Sequence, residues 1–311
     1  MEPLNRTAVE LVDEAIDFAA ELRIDVHELD NGATVVDCGV AAPGGYEAGV
    51  MVAEIQTAGL ATIDLELGRI GETPIPTVEF STDHPGLALL CAQKAGWELG
   101  VDGFEGLGSG PARALVAEEV DFERMNYRES HDFAVLAIES ERLPTAAVAE
   151  HVAERCDVDP QHVFLVVAPT ASLTGSVSVA ARAAELAVFA AAERGYDPTA
   201  IRSAMGTAPV APVAGSEAAA IGRVNDSLAY GSSAYLVVES TIPDFEAIPS
   251  SAGTMHGRPF AEIFAEYGWD FYEIPETVFA PAEVTMDVIG GPTETAGTHR
   301  PDILIESFEL E

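Results

Sequence analysis

Residues 133–168 read FAVLAIESERLPTAAVAEHVAERCDVDPQHVFLVVA. Two short apolar runs, Phe133–Glu139 and His162–Ala168, bracket a segment from about Pro144 to Cys156 that has helical character. A strand, a helix and a strand in that order predict a parallel pair joined by a crossover helix. Upstream, Arg6–Leu22 places apolar residues at helical spacing and reads as an amphipathic helix. Arg23–Leu29 and Ala33–Val40 alternate on either side of Asp30-Asn31-Gly32, whose Asn-Gly pair is a hairpin signal. Val50–Thr57 and Ala61–Leu67 read as further strands, and Pro85–Leu99 as a helix stopped at Gly100. Downstream, Ser176–Arg194 reads as one long helix ended by Gly195, and Gly206–Gly215 as a Gly/Pro/Ala-rich loop. A strand at Ser233–Glu239, a surface excursion at Ser240–Gly257, a helix at Pro259–Tyr267 and strands near Val284–Ile289 and Ile303–Phe308 complete the reading. The class predicted is α+β, or mixed α/β. No domain boundary declares itself, so residues 1–311 are treated as a single unit.

The 311 residues are 48% hydrophobic, enough to bury a large core or two of ordinary size. Acids outnumber bases 52 to 15, a net charge of −37, and Lys94 is the one lysine among those bases. Such a surface repels phosphate backbones, which excludes nucleic acids and anionic membranes as partners. Near loss of lysine together with a coat of Asp and Glu points to multimolar salt, where screening removes the self-repulsion. The acidic start, MEPLNRTAVELVDEAIDF, lacks the basic opening and apolar middle of a signal peptide. No apolar run has the length and flanks of a membrane span. Cys38, Cys91 and Cys156 are odd in number and form no CxxC, and read as reduced buried thiols in a cytoplasm.

Several familiar sites are excluded by spacing. Gly106-Leu-Gly108-Ser-Gly110-Pro-Ala-Arg113 is neither GxGxxG, nor a P-loop, nor GxSxG. None of the seven histidines lies at metal-ligand spacing, so no metal is expected. Thr82-Asp83-His84-Pro85 reads as a turn and cap before a helix. Gly108–Arg113 is either an anion cradle at a helix start, with Arg113 one turn in, or a tight turn packed on the core. Asn225, Asp226 and Tyr230, in a polar cluster between an Ala-rich run and a strand, are candidates for a ligand site; a capped turn explains the first two nearly as well.

Charge distribution isolates one pair. Charged residues are 22% of the chain, so the thirty positions Val163–Ala192 should hold six or seven; they hold Arg182 and Glu185 only. A helix so bare, in a chain that paints its surface with acid, is covered nearly all round. At i, i+3 the two charges share a face, and an isolated one there costs several kcal/mol. They must face each other, a pocket, or both. Buried pairs seldom add stability over apolar residues, so this one asks for a function.

Taken in order, a series of segments resembles methenyltetrahydromethanopterin cyclohydrolases of archaeal one-carbon metabolism. These are Glu28–Val40 (ELDNGATVVDCGV), Thr82–Pro85, Gln93–Trp97, Gly108–Leu115 (GSGPARAL), Val167–Ser172 (VAPTAS), Gly175–Val177, Gly206–Pro209, Asn225-Asp226 and Phe279–Ala282. The match runs nearly end to end, and the acidic composition fits a halophilic member. It departs from many methanogen sequences at Val224, where Thr is expected, and at Ser232-Ser233. The resemblance implies two α/β lobes with the active-site cleft between them, a cytoplasmic homotrimer, a pterin substrate, and neither metal nor redox cofactor. The implied reaction is reversible hydrolysis of the methenyl bridge to the 5-formyl compound, with Arg182 and Glu185 as the catalytic pair. Glu185 would act as base on a water, and Arg182 would keep it ionised and orient that water. Ser109, Gly110, Arg113, Ser172, Asn225, Asp226 and Tyr230 are substrate-binding candidates by polarity within the shared motifs. Three alternatives stay open: methenyltetrahydrofolate as substrate, a pterin carrier without turnover, and a base at His84 or Asp226. If copies associate, acids meet acids at each contact; sedimentation and circular dichroism should therefore show dissociation or unfolding between multimolar KCl and dilute buffer, and an unchanged species would count against this reading.

Overall fold

In the computed structural model the opening segment folds as β7 (Ala134–Glu139), α6 (Ala146–Cys156) and β8 (Val163–Ala168), with β7 and β8 parallel and Ala134 opposite Val163. Residues 2–268, 274–275 and 278–310 are described by the structure. Alternate side chains of these strands enter two different cores. Leu136, Ile138, Leu165 and Val167 pack with Val148, Ala149 and Val152 of α6. Val135 and Val166 pack with Ala8 and Val12 of α1 (Leu4–Asp17) and with Val52 and Ile55 of α3 (Tyr46–Gln56). Strands covered on both faces lose the polar alternation, and hence read as unbroken apolar runs.

The sheet around them runs β1-β2-β8-β7-β6-β5. β1 (Asp25–Glu28) and β2 (Thr34–Asp37) form the expected hairpin, with Glu28 opposite Thr34 and Gly32 at φ +84° in the turn. β5 (Trp97–Val101) and β6 (Phe104–Ser109) form a second antiparallel pair, which joins β7. Two carboxylates fix its helices and loops. Glu129 accepts the Leu4 and Asn5 N–H groups at 2.6 and 3.0 Å, closing the open start of α1. Asp37, fully buried at the end of β2, accepts the N–H groups of Gly39, Val40, Ala41 and Ala42 at 2.7–3.0 Å. Burial alone would raise its carboxyl; the four backbone donors outweigh burial and hold it below the ordinary aspartate value.

A second sheet runs β12-β11-β10-β9-β4-β3. Its strands are β3 (Thr62–Ile70), β4 (Thr73–Thr82), β9 (Ile201–Pro209), β10 (Ser233–Val238), β11 (Glu283–Val288) and β12 (Thr293–Gly297). Here alternation survives. Ala204, Gly206, Leu236 and Val238 are buried beneath α8 (Ala183–Glu193), whereas Met205 and Tyr235, opposite each other, are 56% and 38% exposed. α9 (Glu217–Gly231) packs with α10 (Phe260–Glu266) and α11 (Pro301–Ser307). Both sheets are mixed, and the class is α+β as read. The chain divides into two compact units, Met1–Thr62 with Leu87–Ser178 and Ile63–Gly86 with Val179–Glu311. Each unit is discontinuous in sequence, which is why no linker marks a boundary. Among the described residues no single helix is long and apolar enough to cross a membrane.

Four segments correct the sequence reading, in addition to Ser176–Arg194, which is two helices rather than one. Val50–Thr57 belongs to a helix, α3, because the buried Ala48, Val52 and Ile55 recur at helical spacing. Pro85–Leu99 divides into a π-helical stretch, Gly86–Gln93, and β5, where Trp97 and Leu99 are buried between exposed neighbours. Gly206–Pro209 is strand rather than loop. Ile303–Phe308 lies mostly in α11, with Pro301 in its first turn and Ile303 and Leu304 buried side by side.

Asp37→Asn should cost about 1–3 kcal/mol at neutral pH, since an amide cannot take all four donors. The native carboxyl titrates below its unfolded value, so its contribution is complete above about pH 4 and fades as pH falls through the native value. Melting of wild type and variant from pH 7 downward should show the gap closing in acid; a gap independent of pH would refute this role.

Candidate functional site

Arg182 and Glu185 stand where the single long helix expected at Ser176–Arg194 is broken. Two helices replace it, α7 (Leu173–Ala180) and α8, and Arg182 is the N-cap residue of α8. Glu185 thereby falls in the first turn of α8, where the positive end of the helix dipole favours a carboxylate. Arg182 Nη1 donates to Glu185 Oε2 at 3.2 Å, with side chains 12% and 5% exposed. Ala181, Ala183, Ala184 and Val188 around them are buried, so the charges sit on an aliphatic wall. The structure thus brings the pair together as the charge count required.

Gly206 on β9 sets how close that wall lies. A Cβ there would fall 2.8 Å from the Ala184 nitrogen and 3.2 Å from the Ala183 and Ala184 methyl groups. Only a bare α-carbon lets the first turn of α8 rest on the sheet. The shared Gly206–Pro209 motif contained this residue, but the loop reading hid its purpose.

Of the other candidates in the second unit, Asp226 and Tyr230 hold α10 and the segment before it in place. Asp226 is buried, accepting the Phe260 N–H at 2.7 Å and the Ser307 hydroxyl at 2.6 Å. Burial pushes its carboxyl up to about 7, against the lowering effect of those two hydrogen bonds. The Tyr230 hydroxyl accepts from the Gly257 and Arg258 N–H groups at 3.1 and 3.2 Å and donates to the Arg258 carbonyl at 2.6 Å. Asn225 donates to the Ile221 carbonyl one turn back, at 2.8 Å. His84 is exposed on a turn in which the Thr82 hydroxyl accepts its N–H at 3.0 Å.

Ser109, Gly110, Arg113 and Ser172 lie in the first unit. Arg113 is fully buried; it makes a two-pronged pair with Glu119 at 2.6 and 2.8 Å and donates to the Leu90 and Ala92 carbonyls. Gly110 takes φ +101°, and its N–H donates to the Ala92 carbonyl at 2.8 Å. Ser172 donates to the Pro169 carbonyl and accepts the Gly175 N–H, closing the turn into α7. Ser109 accepts from Gln56, whose amide also receives the Ser178 hydroxyl. The sequence reading missed Gln56 and Ser178; Gln56, a lone amide in a buried run, was hidden by the strand assignment. Among the described residues no three His, Cys, Asp or Glu side chains gather as a metal site requires. The three cysteines are free and buried, and burial pushes Cys91 and Cys156 up to about 12.

A cyclohydrolase (MCH) family description matches residues 3–308 of this chain. Methenyltetrahydromethanopterin cyclohydrolase of Halobacterium salinarum is 52% identical over 310 residues, covering 100% of both chains. The proteins of that name from Methanoculleus marisnigri and Methanococcoides burtonii are 42% and 37% identical, over 99% of both chains and over 100% and 99% respectively.

Gly206→Ala should destabilise the protein by about 1–3 kcal/mol, because the added methyl must push α8 away from β9. Thermal melts in multimolar KCl measure it; an unchanged midpoint would show that the helix start yields freely.

Proposed function

Since the chain belongs to the cyclohydrolase (MCH) family, we propose that it hydrolyses the methenyl bridge of 5,10-methenyltetrahydromethanopterin, reversibly, to 5-formyltetrahydromethanopterin. The observation that carries the chemistry is the buried Arg182–Glu185 pair, a base and its counter-charge on an otherwise aliphatic wall. Supporting the substrate are the end-to-end relatives that bear its name.

The methenyl carbon lies between two nitrogens in a cationic amidinium. It is electrophilic without a Lewis acid, so the reading includes neither metal nor redox cofactor. Water adds through oxygen to that carbon, and Glu185 takes a proton from it, leaving a neutral carbinolamine. Glu185 then gives the proton to the departing nitrogen as that carbon–nitrogen bond breaks. The hydroxyl becomes the formyl carbonyl, and its proton passes to solvent. Arg182 offsets the carboxylate's charge while the site is vacant and holds its orientation, and the carboxylate in turn faces the cationic substrate. Cytoplasmic location, a homotrimer and a halophilic archaeal source belong to the same reading. Its supports are the resemblance, the acidic composition and, for a reducing compartment, three free thiols.

Loss of the methenyl chromophore's absorbance in multimolar KCl tests this, with the methanopterin and folate substrates in parallel. Glu185→Gln should keep its circular dichroism and lose about 10²–10⁴-fold in kcat. Near-normal turnover in the folded variant would move the base elsewhere, and a pH–rate profile would then separate a carboxylate from a histidine. Preference for the folate substrate keeps the chemistry and changes the carrier. Binding without turnover by wild type would make the protein a pterin carrier.

A further inference from the structure

The outer face of the second sheet has no part in the Arg182–Glu185 chemistry. Outward residues of five of its strands fall into one row. Ser81 on β4 stands opposite Met205 on β9, and Met205 opposite Tyr235 on β10. Tyr235 stands opposite Thr285 on β11, and Thr285 opposite Thr295 on β12. At about 4.8 Å per strand the row runs about 19 Å. None of its five members is charged, and Met205 and Tyr235 are exposed at its centre. The rows on either side stay uncharged in the middle, as Thr207–Ser233 and Ser203–Val237, and turn acidic beyond it at Glu79, Glu283 and Asp287.

The polar groups of this face are spent on one another. Thr285 and Thr295 share a hydrogen bond at 2.9 Å, and Asp287 accepts the Tyr235 and Thr293 hydroxyls at 3.0 and 2.9 Å. Covering groups already paired costs less than covering unpaired ones. A solvated sheet face presents polar residues, and in a chain with 52 acids those positions would carry carboxylates. An uncharged stripe centred on Met and Tyr, with acids around it, has instead the composition of an interface core and rim.

Charge also decides the occupant. A basic partner would be held by carboxylates anywhere on a surface of net charge −37, and nothing would direct it to a stripe that lacks them. A partner as acidic as this chain can approach only where both surfaces are uncharged, and a second copy brings the matching stripe. We propose that copies of the chain associate through this face, with Met205 and Tyr235 at the centre of the contact and the rim acids screened by salt. The proposal rests on the self-association in the functional reading and assigns it a surface.

Sedimentation velocity of the purified full chain in multimolar KCl, over a range of protein concentrations, tests this. Wild type should sediment as an oligomer. Met205→Glu sets a carboxylate at the centre of the contact and should weaken association about 100-fold or more, because the buried charge meets no partner. Thr285→Glu should act likewise and serves where Met205→Glu does not fold, as circular dichroism would show. Phe18→Glu, at an exposed apolar residue of the first unit, should leave the oligomer intact. An unchanged oligomer in the folded Met205→Glu and Thr285→Glu variants overturns the assignment of this face, as does equal loss in Phe18→Glu. A wild type that stays monomeric overturns self-association itself and leaves the stripe to a different partner, while its turnover still decides the hydrolase chemistry.

Discussion

The position of the site depends on one close approach. The first turn of α8 rests on β9 because residue 206 has no side chain. That turn carries a guanidinium at its cap and a carboxylate one turn in, both set among alanine and valine. Each charge is costly there without the other, and their 3.2 Å separation lessens that cost on an otherwise apolar wall. Breaking the helix at Ala181–Arg182 is part of the same constraint. An unbroken helix would put no positive dipole end beside the carboxylate.

The chain handles charge in two opposite ways. At the surface it accumulates far more acid than its few arginines can pair, leaving a net charge of −37 for salt to screen. Inside, charge appears where its partners are fixed by geometry. Lys94 and Arg124 meet the fully buried Asp121, Arg113 meets Glu119, and Asp37 and Glu129 are held by backbone N–H groups. These interior contacts are short and largely shielded from solvent, so high salt weakens them far less than it weakens surface pairs. Asp226 shows the cost of the arrangement when donors are few. With only a hydroxyl and one N–H to accept from, its carboxyl is pushed up to about 7.

How much of this was legible follows from what surrounds each segment. The β7–α6–β8 unit and the β1–β2 hairpin were readable because long apolar runs and an Asn-Gly turn allow few other arrangements. Arg182 and Glu185 were found by the opposite signal, charge where none was expected. The misread segments share another property. Val50–Thr57 and Ile303–Phe308 are short and mostly apolar, and at that length alternation does not separate strand from helix. Gly206–Pro209 looked like a loop because glycine and proline usually interrupt strands; here the glycine is required by α8 above it.

The same reasoning explains why Gln56 escaped notice. Read as a strand, Val50–Thr57 places Gln56 on one of two alternating faces, with nothing to distinguish it from a solvated polar position. Read as the last turn of α3, it is a buried amide that must place both its oxygen and its nitrogen. The partners it finds, Ser109 and Ser178, lie 53 and 122 residues away in sequence. Polarity within a motif pointed to Ser109, but only the assembled unit brings the Gln56 amide to it. The partners of a buried amide are a property of the whole network of donors and acceptors, and no single segment of sequence contains them.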